Sequence, residues 1–342
     1  MNERPIIAVD AMGGDFGPSV VVPGAIEAAR LHDLHVLLVG DTPKLEAELA
    51  KIDLANVHFD IVQADDVVHM NEKPSDILRR KKNASIQVAC RLVKEGAADG
   101  VVSAGHSGAT VACGMFIMGR LPGVERPALA ALLPTEKNPV VVLDAGANVD
   151  CRPYHLFQFG LMGDAFARDL LSYAAPRVSL LSIGEEEGKG NCQVKEAYEL
   201  LKMAQNINFI GNAEGRDIFT GDIDVVICDG FVGNVVLKLT EGVAGTLLGM
   251  LKDIFMQSIV TKLCYLGVKG GLRNLKHMMD SEEIGGAPLL GAAKPVIKAH
   301  GSSKAKGIKN AIRQAKTCVE NDLCGTMQSA LDELAAANKP EE

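Results

Sequence analysis

The residues with chemistry to offer sit where apolar runs stop. Asp10 ends the run at 5–10, and the next seven positions, Ala-Met-Gly-Gly-Asp-Phe-Gly, hold three glycines, among them Gly13 and Gly14. Pro18 and Ser19 then open a helical run over 20–30. Glycine lets the backbone turn sharply and approach a ligand without a Cβ clash. A helix start adds orphan N–H groups and the positive end of a dipole, a combination that receives an anion. The same construction recurs at Ser103-Ala-Gly-His-Ser-Gly108, Asp144-Ala-Gly-Ala-Asn148, Gly184-Glu-Glu-Glu-Gly-Lys-Gly-Asn191, Gly211-Asn-Ala-Glu-Gly215 and Asp229-Gly-Phe-Val-Gly-Asn234. A single such loop is ordinary punctuation, a tight turn without a ligand. Six of them on one sheet describe a polar pocket at its carboxyl edge.

Several familiar chemistries fail on spacing. Residues 184–190 superficially resemble a phosphate-binding P-loop, but no Ser or Thr follows Lys189 and three glutamates would crowd the phosphate. Gly13-Gly-Asp-Phe-Gly17 departs from the dinucleotide fingerprint G-x-G-x-x-G. Gly105-His-Ser-Gly108 is no nucleophile elbow, because nothing separates Ser107 from the second glycine. No histidine pair has metal-ligand spacing and no aspartate cluster suggests a decarboxylating dehydrogenase, so the expectation is no metal and no cofactor. His106 reads either as a loop hydrogen-bonder or as a general base.

The elements that must hold these loops alternate along the chain. Apolar runs over 5–10, 34–39, 57–62, 99–102, 129–133, 139–143, 178–183, 208–210 and 223–228 are separated by helical stretches over 20–30, 41–51, 73–82, 84–95, 154–172 and 191–206. This predicts a three-layer α/β/α Rossmann-like fold, its sheet mainly parallel with helices on both faces. Composition agrees: 47% of the 342 residues are hydrophobic, only 4% aromatic, and 35 are glycine, unlike an all-β sandwich. One large domain over 1–335 is expected, with a frayed tail at 336–342. A net charge of −8 speaks against a general nucleic-acid binder. Eight scattered cysteines without C-x-x-C fit free thiols in a reducing cytosol, and no signal peptide precedes the first strand. The uncharged stretch 100–119 is long enough to cross a bilayer, but it carries Ser103, His106, Ser107, Thr110 and five glycines and reads as buried loop and helix.

The last third has another texture. Val236, Leu239, Val243, Leu247, Met250 and Ile254 step by three or four, one continuous helical stripe. A single helix over 233–263 would be roughly 45 Å long at 1.5 Å per residue, longer than one layer needs. With a returning helix over 267–280 it forms a projecting element at about 233–283, and an apolar stripe on a projecting helix predicts a homodimer. Residues 285–291 and 295–300 return to the sheet, and two helices end the chain.

The motifs at 9–18, Lys73-Pro-Ser-Asp76 with Arg79-Arg-Lys-Lys82, 103–109, 144–148, 183–191, 229–238 and His300-Gly-Ser-Ser303 resemble, in order and over nearly the whole chain, the bacterial phosphate acyltransferase family of phospholipid synthesis. The resemblance implies a fold similar to isocitrate and isopropylmalate dehydrogenases and to phosphotransacetylase. It implies acyl transfer from acyl-acyl carrier protein to inorganic phosphate, giving an acyl phosphate for a membrane glycerol-3-phosphate acyltransferase. On these motifs the candidate phosphate- and substrate-binding residues are Asp10, Gly13, Gly14, Ser103, His106, Ser107, Gly108, Asn148, Asn191, Asp229 and Gly233. A non-catalytic scaffold on the same fold is the competing reading.

Such a reaction asks little of covalent catalysis. Phosphate is already an anionic nucleophile and a thioester an activated donor, so the protein must hold the two in line and stabilise an oxyanion. Positioning supplies ~7–11 kcal/mol and one oxyanion donor roughly 3–4 kcal/mol. Lys189 is the candidate cation for phosphate, and Asn234, at the mouth of the long helix, the neutral donor for the carbonyl oxygen; a plain helix cap or turn is the alternative for Asn234. The resemblance points to the same two positions. Arg79, Arg80, Lys81 and Lys82, the one run of four basic residues, are candidates for docking an acidic carrier protein, against the alternative of a solvated helix end. Phe255, Ile259, Leu263 and Leu266, flanked by Lys262, Lys269, Arg273 and Lys276, suggest weak, reversible membrane contact by an otherwise cytoplasmic protein, unless a dimer bundle buries them.

Overall fold

The computed structural model describes residues 4–278 and 281–337. The chain opens with β1 (Ile6–Asp10), α1 (Pro18–His32), β2 (His35–Gly40), α2 (Thr42–Leu49) and β3 (Phe59–Gln63). It continues through α3 (Pro74–Arg80), α4 (Ser85–Lys94), β4 (Gly100–Ser103) and α5 (Ser107–Cys113), which runs on as a π-helical turn over Gly114–Met118. Then come β5 (Ala128–Leu133), β6 (Val140–Leu143), α6 (Pro153–Leu171), β7 (Arg177–Leu181), α7 (Cys192–Met203), β8 (Asn208–Ala213) and β9 (Val225–Ile227). The last third is α8 (Gly230–Met256), α9 (Ile259–Met278), α10 (Ser281–Ile284), β10 (Ala287–Leu290), β11 (Val296–Lys298), α11 (Ala305–Glu320) and α12 (Leu323–Ala337).

The eleven strands of the described residues form one sheet in the order β3-β2-β1-β4-β11-β10-β5-β6-β9-β7-β8. Two parallel blocks, β3-β2-β1-β4-β11 and β6-β9-β7-β8, are joined by antiparallel pairings of β10 with β11 and with β5, and of β5 with β6. The sheet is mainly parallel, as the alternation predicts. Its inner strands β4, β6, β9 and β11 are fully buried runs because helices cover both faces, while the edge strands β3 and β8 are partly exposed. Phe159 and Phe166 of α6, both with no exposed surface, anchor the second block, each worth about 1.5–3 kcal/mol of apolar burial. α8 leaves the carboxyl end of β9 and lies over β5 and β6, so its first turns cross from one block toward the other.

The structure departs from the sequence reading in the last third. The expected single helix over 233–263 is two helices broken at Gln257 and Ser258. Ser258 and Thr261 exchange caps: the Thr261 amide donates to Ser258 Oγ at 3.1 Å and the Ser258 amide to Thr261 Oγ1 at 3.0 Å. That reciprocal bonding starts a new helix where the apolar stripe hides the boundary. The Phe255 and Tyr265 ring centroids, 5.5 Å apart, show the two helices folding back on each other. β8 also continues through Gly211, Asn212 and Ala213, where a loop was expected. The Lys276 side chain and residues 338–342 of the tail lie outside the described residues.

Candidate active site

Asp10, Ser103 and Lys298 occupy one register row across β1, β4 and β11. Paired residues of parallel strands project to the same face. Asp10 is only 3% exposed; its Oδ1 accepts the Ser85 hydroxyl at 2.6 Å and its Oδ2 the Ser103 hydroxyl at 2.7 Å. Burial pushes its carboxyl above the usual range, while the two hydroxyls, the Met12 amide and the Lys298 charge pull it back. The Gly105 amide donates to Ser103 Oγ at 3.0 Å, and a Cβ on Gly13 would stand 2.7 Å from both Asp10 Oδ2 and the Gly105 nitrogen. Gly13 is therefore glycine because two loops touch there. The Asp15 amide, donating to the Gly301 carbonyl at 2.9 Å, brings in the loop after β11.

The second block has its own buried carboxylate. Asp144, at the end of β6, has no exposed surface. Its Oδ1 accepts the amides of Leu129, Gly146 and Ala147 at 2.9–3.0 Å, and its Oδ2 accepts the backbone and side-chain amides of Asn148 at 2.7 and 2.9 Å. Burial raises this carboxyl too, against those donors. The first turn of α8 presses on this loop: a Cβ on Gly233 would lie 1.9 Å from the Asp144 carbonyl oxygen. Asn234 follows, its side chain standing beside Gly146.

Between the two loop systems lies a cavity of ≈ 380 Å³. Leu129 and Ala131 of β5, with Leu132, Leu237 and Ile284, give it an apolar wall. Asn234, Lys238 and Glu241 come from α8, spaced i, i+4, i+7 on one helix face, and Asp15, Ser107, Lys298 and His300 from the first block. Lys238 Nζ donates to Glu241 Oε2 at 2.9 Å and to His300 Nε2 at 2.7 Å, and His300 Nδ1 lies 2.8 Å from Ser302 Oγ. Burial first, then the Lys238 charge, holds His300 below its ordinary pKa. Burial likewise lowers Lys298 to about 8, with Asp10 opposing. Cations, an amide donor and an apolar wall facing one another suit a ligand with an anionic end and a hydrocarbon end.

Comparisons with known proteins agree with that chemistry. A family model described as a fatty acid synthesis protein matches residues 6–326. A phosphate acyltransferase of Nitratidesulfovibrio vulgaris is 64% identical over 315 residues, 92% of this chain and 91% of the relative. The chain belongs to the phosphate acyltransferase family. It is an acyltransferase. Among solved structures, a phosphotransacetylase from Streptococcus pyogenes aligns with a TM-score of 0.63 at 18% identity, covering 94% of this chain and 95% of the other. A 4-hydroxythreonine-4-phosphate dehydrogenase from Klebsiella pneumoniae aligns at 0.52 and 15% identity, covering 92% and 98%. These two place the family's fold beside phosphotransacetylases and dehydrogenases of this type.

In this acyltransferase the residues singled out by sequence separate into two groups. Asn234 and Ser107 line the cavity. Asp10, Gly13, Ser103 and His106 instead line a smaller pocket of ≈ 10 Å³ that shares Gly105 with it. Most of the rest are architecture. His106 Nδ1 accepts the Ala109 amide at 3.1 Å as the cap of α5, which is the loop hydrogen-bonding reading. Asn191 caps α7 and Asp229 caps α8, accepting the Val194 and Val232 amides at 2.9 and 2.8 Å. Such caps contribute ~1 kcal/mol each. The Asn148 side chain donates to the Pro127 carbonyl and to Asp144, so both its N–H groups brace the loop. Gly14, at φ 88°, turns against Ala104, and Gly108 packs on Pro74.

Lys189 is not among the residues lining the cavity. It stands exposed on the 184–190 turn, its amide donating to the Glu186 carbonyl at 3.0 Å and its stem passing beside Gly184. The basic run is also divided. Arg79, Arg80 and Lys82 are exposed, but the Lys81 ammonium donates to the Val67 carbonyl at 2.6 Å and pairs with Glu72 at 2.9 Å. Lys81 is thus taken out of the expected patch by a local carboxylate. Lys238, Lys298 and His300, which carry the cavity's positive charge, received no role from sequence. Lys238 was within reach as the i+4 neighbour of Asn234, and Lys298 as the single charge in the apolar run 296–299.

Proposed function

We propose that this cavity transfers an acyl group from a thioester on acyl carrier protein to inorganic phosphate, by direct attack. A phosphate oxygen forms the new C–O bond, the C–S bond breaks with its electron pair leaving on sulfur, and the proton that the phosphate carried ends on the thiol. The products are an acyl phosphate and the free carrier thiol. The observation that carries the reading is the cavity itself, where an apolar wall of Leu129, Leu132, Leu237 and Ile284 faces Lys238, Lys298 and the Asn234 amide. A hydrocarbon chain and a dianion have to meet, and here each has its surface. Asn234 is the donor for the carbonyl oxygen, a contact that strengthens as negative charge develops there. Lys189, which the sequence offers as the cation for phosphate, stands exposed outside the cavity lining, and no step of this reading runs through it. The test is to incubate the protein with acyl-acyl carrier protein and phosphate and trap acyl phosphate with hydroxylamine. Hydroxamate that depends on phosphate and falls at least a hundredfold in Asn234→Ala is expected; none from the wild-type chain would sink the reading.

The same reading gives the surfaces roles. Arg79, Arg80 and Lys82 form a cationic rim for an acidic carrier, which predicts a carrier KM that rises in the Arg79→Glu, Lys82→Glu double variant at low salt and converges with wild type at high salt. The exposed α8 positions Leu239, Val243, Leu247, Met250 and Ile254 recur on one face and support a homodimer. α8 is the one helix among the described residues long and apolar enough to cross a membrane, yet only 11% of its most apolar window is buried in the chain. At the hairpin turn, Ile259 is 78% and Leu266 65% exposed, with Leu263 between them, while Phe255 is partly covered by Tyr265. These residues, with Lys262, Lys269 and Arg273, are proposed to touch anionic bilayers reversibly and to hand the labile acyl phosphate to a membrane glycerol-3-phosphate acyltransferase. Light scattering and flotation with anionic vesicles separate the two roles. A dimer that never floats leaves the turn as interface alone.

A further inference from the structure

We infer that the Lys298 ammonium seats the phosphate that attacks the acyl group, an inference that rests on the acyl-transfer reading above. Lys298 ends β11, a strand otherwise made of Val296 and Ile297, and is only 8% exposed. Its Nζ donates to the carbonyl of its neighbour Ala299, and that is its one hydrogen bond among the described residues. An ammonium carries three N–H groups, so two remain for the cavity that the side chain lines. No carboxylate of the described residues lies within 4.0 Å of it. A buried charge without a counter-ion is costly, and an arriving anion removes the cost.

The surroundings narrow the ligand. Lys238 is already paired with Glu241 and bonded to His300, so the charge of that group is largely spent within it. Asp10 stands on the same register row as Lys298, but its oxygens are taken by Ser85 and Ser103. Asp15 lines the cavity too and disfavours a purely acidic crowd. What remains is one unpaired, desolvated cation with a second cation across the cavity and a hydrocarbon wall beside it. A small tetrahedral dianion fits that arrangement, held by Lys298 from the sheet, with Lys238 of α8 offering only the N–H that Glu241 and His300 leave it. It would sit next to the place where Asn234 meets the acyl carbonyl.

The test uses inorganic phosphate as the probe and the full chain. Calorimetric titration at pH 7 is expected to give phosphate affinity at least ~10-fold weaker in Lys298→Met, since a charge-assisted contact is lost. Lys298→Arg, which keeps the charge, is expected to restore most of it. Folding is controlled by thermal unfolding without phosphate, where Lys298→Met should be at least as stable as wild type because a buried charge without a counter-ion is removed. Phosphate should then raise the midpoint of wild type and of Lys298→Arg, not of Lys298→Met. A pH series adds a readout that survives a poorly folded methionine variant. Wild-type affinity should fall as pH rises through about 8, where Lys298 loses its proton, and the arginine variant should stay flat. Asp10, Asp15, Lys238, Glu241 and His300 face position 298 in both proteins, so the difference between the profiles belongs to that position. Unchanged phosphate affinity in a folded Lys298→Met, or identical pH profiles, overturns the inference while leaving acyl transfer standing. Phosphate binding through Lys298 in a protein that makes no acyl phosphate would overturn the attack and leave an anion site alone.

Discussion

Asp10 and Asp144 occupy equivalent posts in the two blocks of the sheet, and they are held in different ways. Each ends an inner strand, each is buried, and burial pushes each carboxyl upward. Asp144 is surrounded by amides, four from the backbone and one from Asn148. Asp10 is held chiefly by the hydroxyls of Ser85 and Ser103. An amide can only donate, whereas a hydroxyl rotates and can donate or accept. The Asp144 site therefore fixes the backbone of one loop and tolerates no other species. The Asp10 site can change its hydrogen-bond sense, and its charge acts on Lys298. One carboxylate builds; the other tunes.

Asparagine at each position breaks the comparison most sharply. In Asp144→Asn one oxygen becomes an NH₂ that must face at least two fixed N–H groups. Each unsatisfied buried donor costs about 1–3 kcal/mol, so a loss of ~4 kcal/mol is expected in urea unfolding. In Asp10→Asn the serine opposite the new NH₂ turns its hydroxyl round and accepts, and the loss should stay below ~1.5 kcal/mol. Equal losses for the two variants would show that the distinction between amides and hydroxyls carries nothing.

The second contrast is in pH. Lys298 sits at about 8 in the fold against 10.5 for an unperturbed lysine. Between these values the unfolded chain binds more protons, so wild type gains stability as pH rises from 8 to 10.5, by ~3 kcal/mol relative to Lys298→Met. Asp10 supports the Lys298 charge. Asp10→Asn should therefore start that gain at a lower pH, whereas no variant of Asp144, which is absent from the groups acting on Lys298, should move it. For the carboxylates the sign reverses. With folded pKa values raised above 3.8, they lose stability as pH rises from 3.8 through the folded pKa, and Asp10→Asn should remove part of that slope.

The contrast also explains how much was legible in the sequence. The α/β alternation, the glycine loops and Asn234 could be read because period, turn chemistry and helix starts are local signals. The distinction between a loop residue that caps a helix and one that faces a ligand is not local. Asn191, Asp229 and His106 all look like site residues, and their side chains accept backbone amides three residues on, while the Asn148 amide is used up on the Pro127 carbonyl and Asp144. Lys298 gave the opposite error. Its importance depends on the register that sets β11 beside β4, a pairing between residues far apart in the chain. The break at Ser258 was hidden for a third reason. Its cap is two hydroxyl residues inside an apolar stripe that continues unbroken on both sides.

The smallest expected effect tests the tuning itself. Ser85 lies on α4, and its hydroxyl reaches Asp10 Oδ1 at 2.6 Å without lining the larger cavity. Removing it in Ser85→Ala takes away one donor to the ionised carboxylate, a loss of ~1 kcal/mol, because the hydroxyl gives charge-assisted help to a buried anion. With less help Asp10 should titrate at still higher pH, since that bond is the first of the influences holding its carboxyl down. Lys298, which Asp10 supports, should then be held less firmly in its charged form wherever Asp10 is protonated in the variant and ionised in wild type. The expected signature is therefore a pH profile of phosphate affinity whose alkaline fall, set by Lys298, begins at lower pH than in wild type, with little change in acid. Ser103→Ala differs because Ser103 Oγ also accepts the Gly105 amide, so it should loosen the loop and lower affinity at every pH. If Ser85→Ala instead weakens phosphate uniformly across the pH range, Asp10 shapes the cavity mechanically and its charge does not set the state of Lys298.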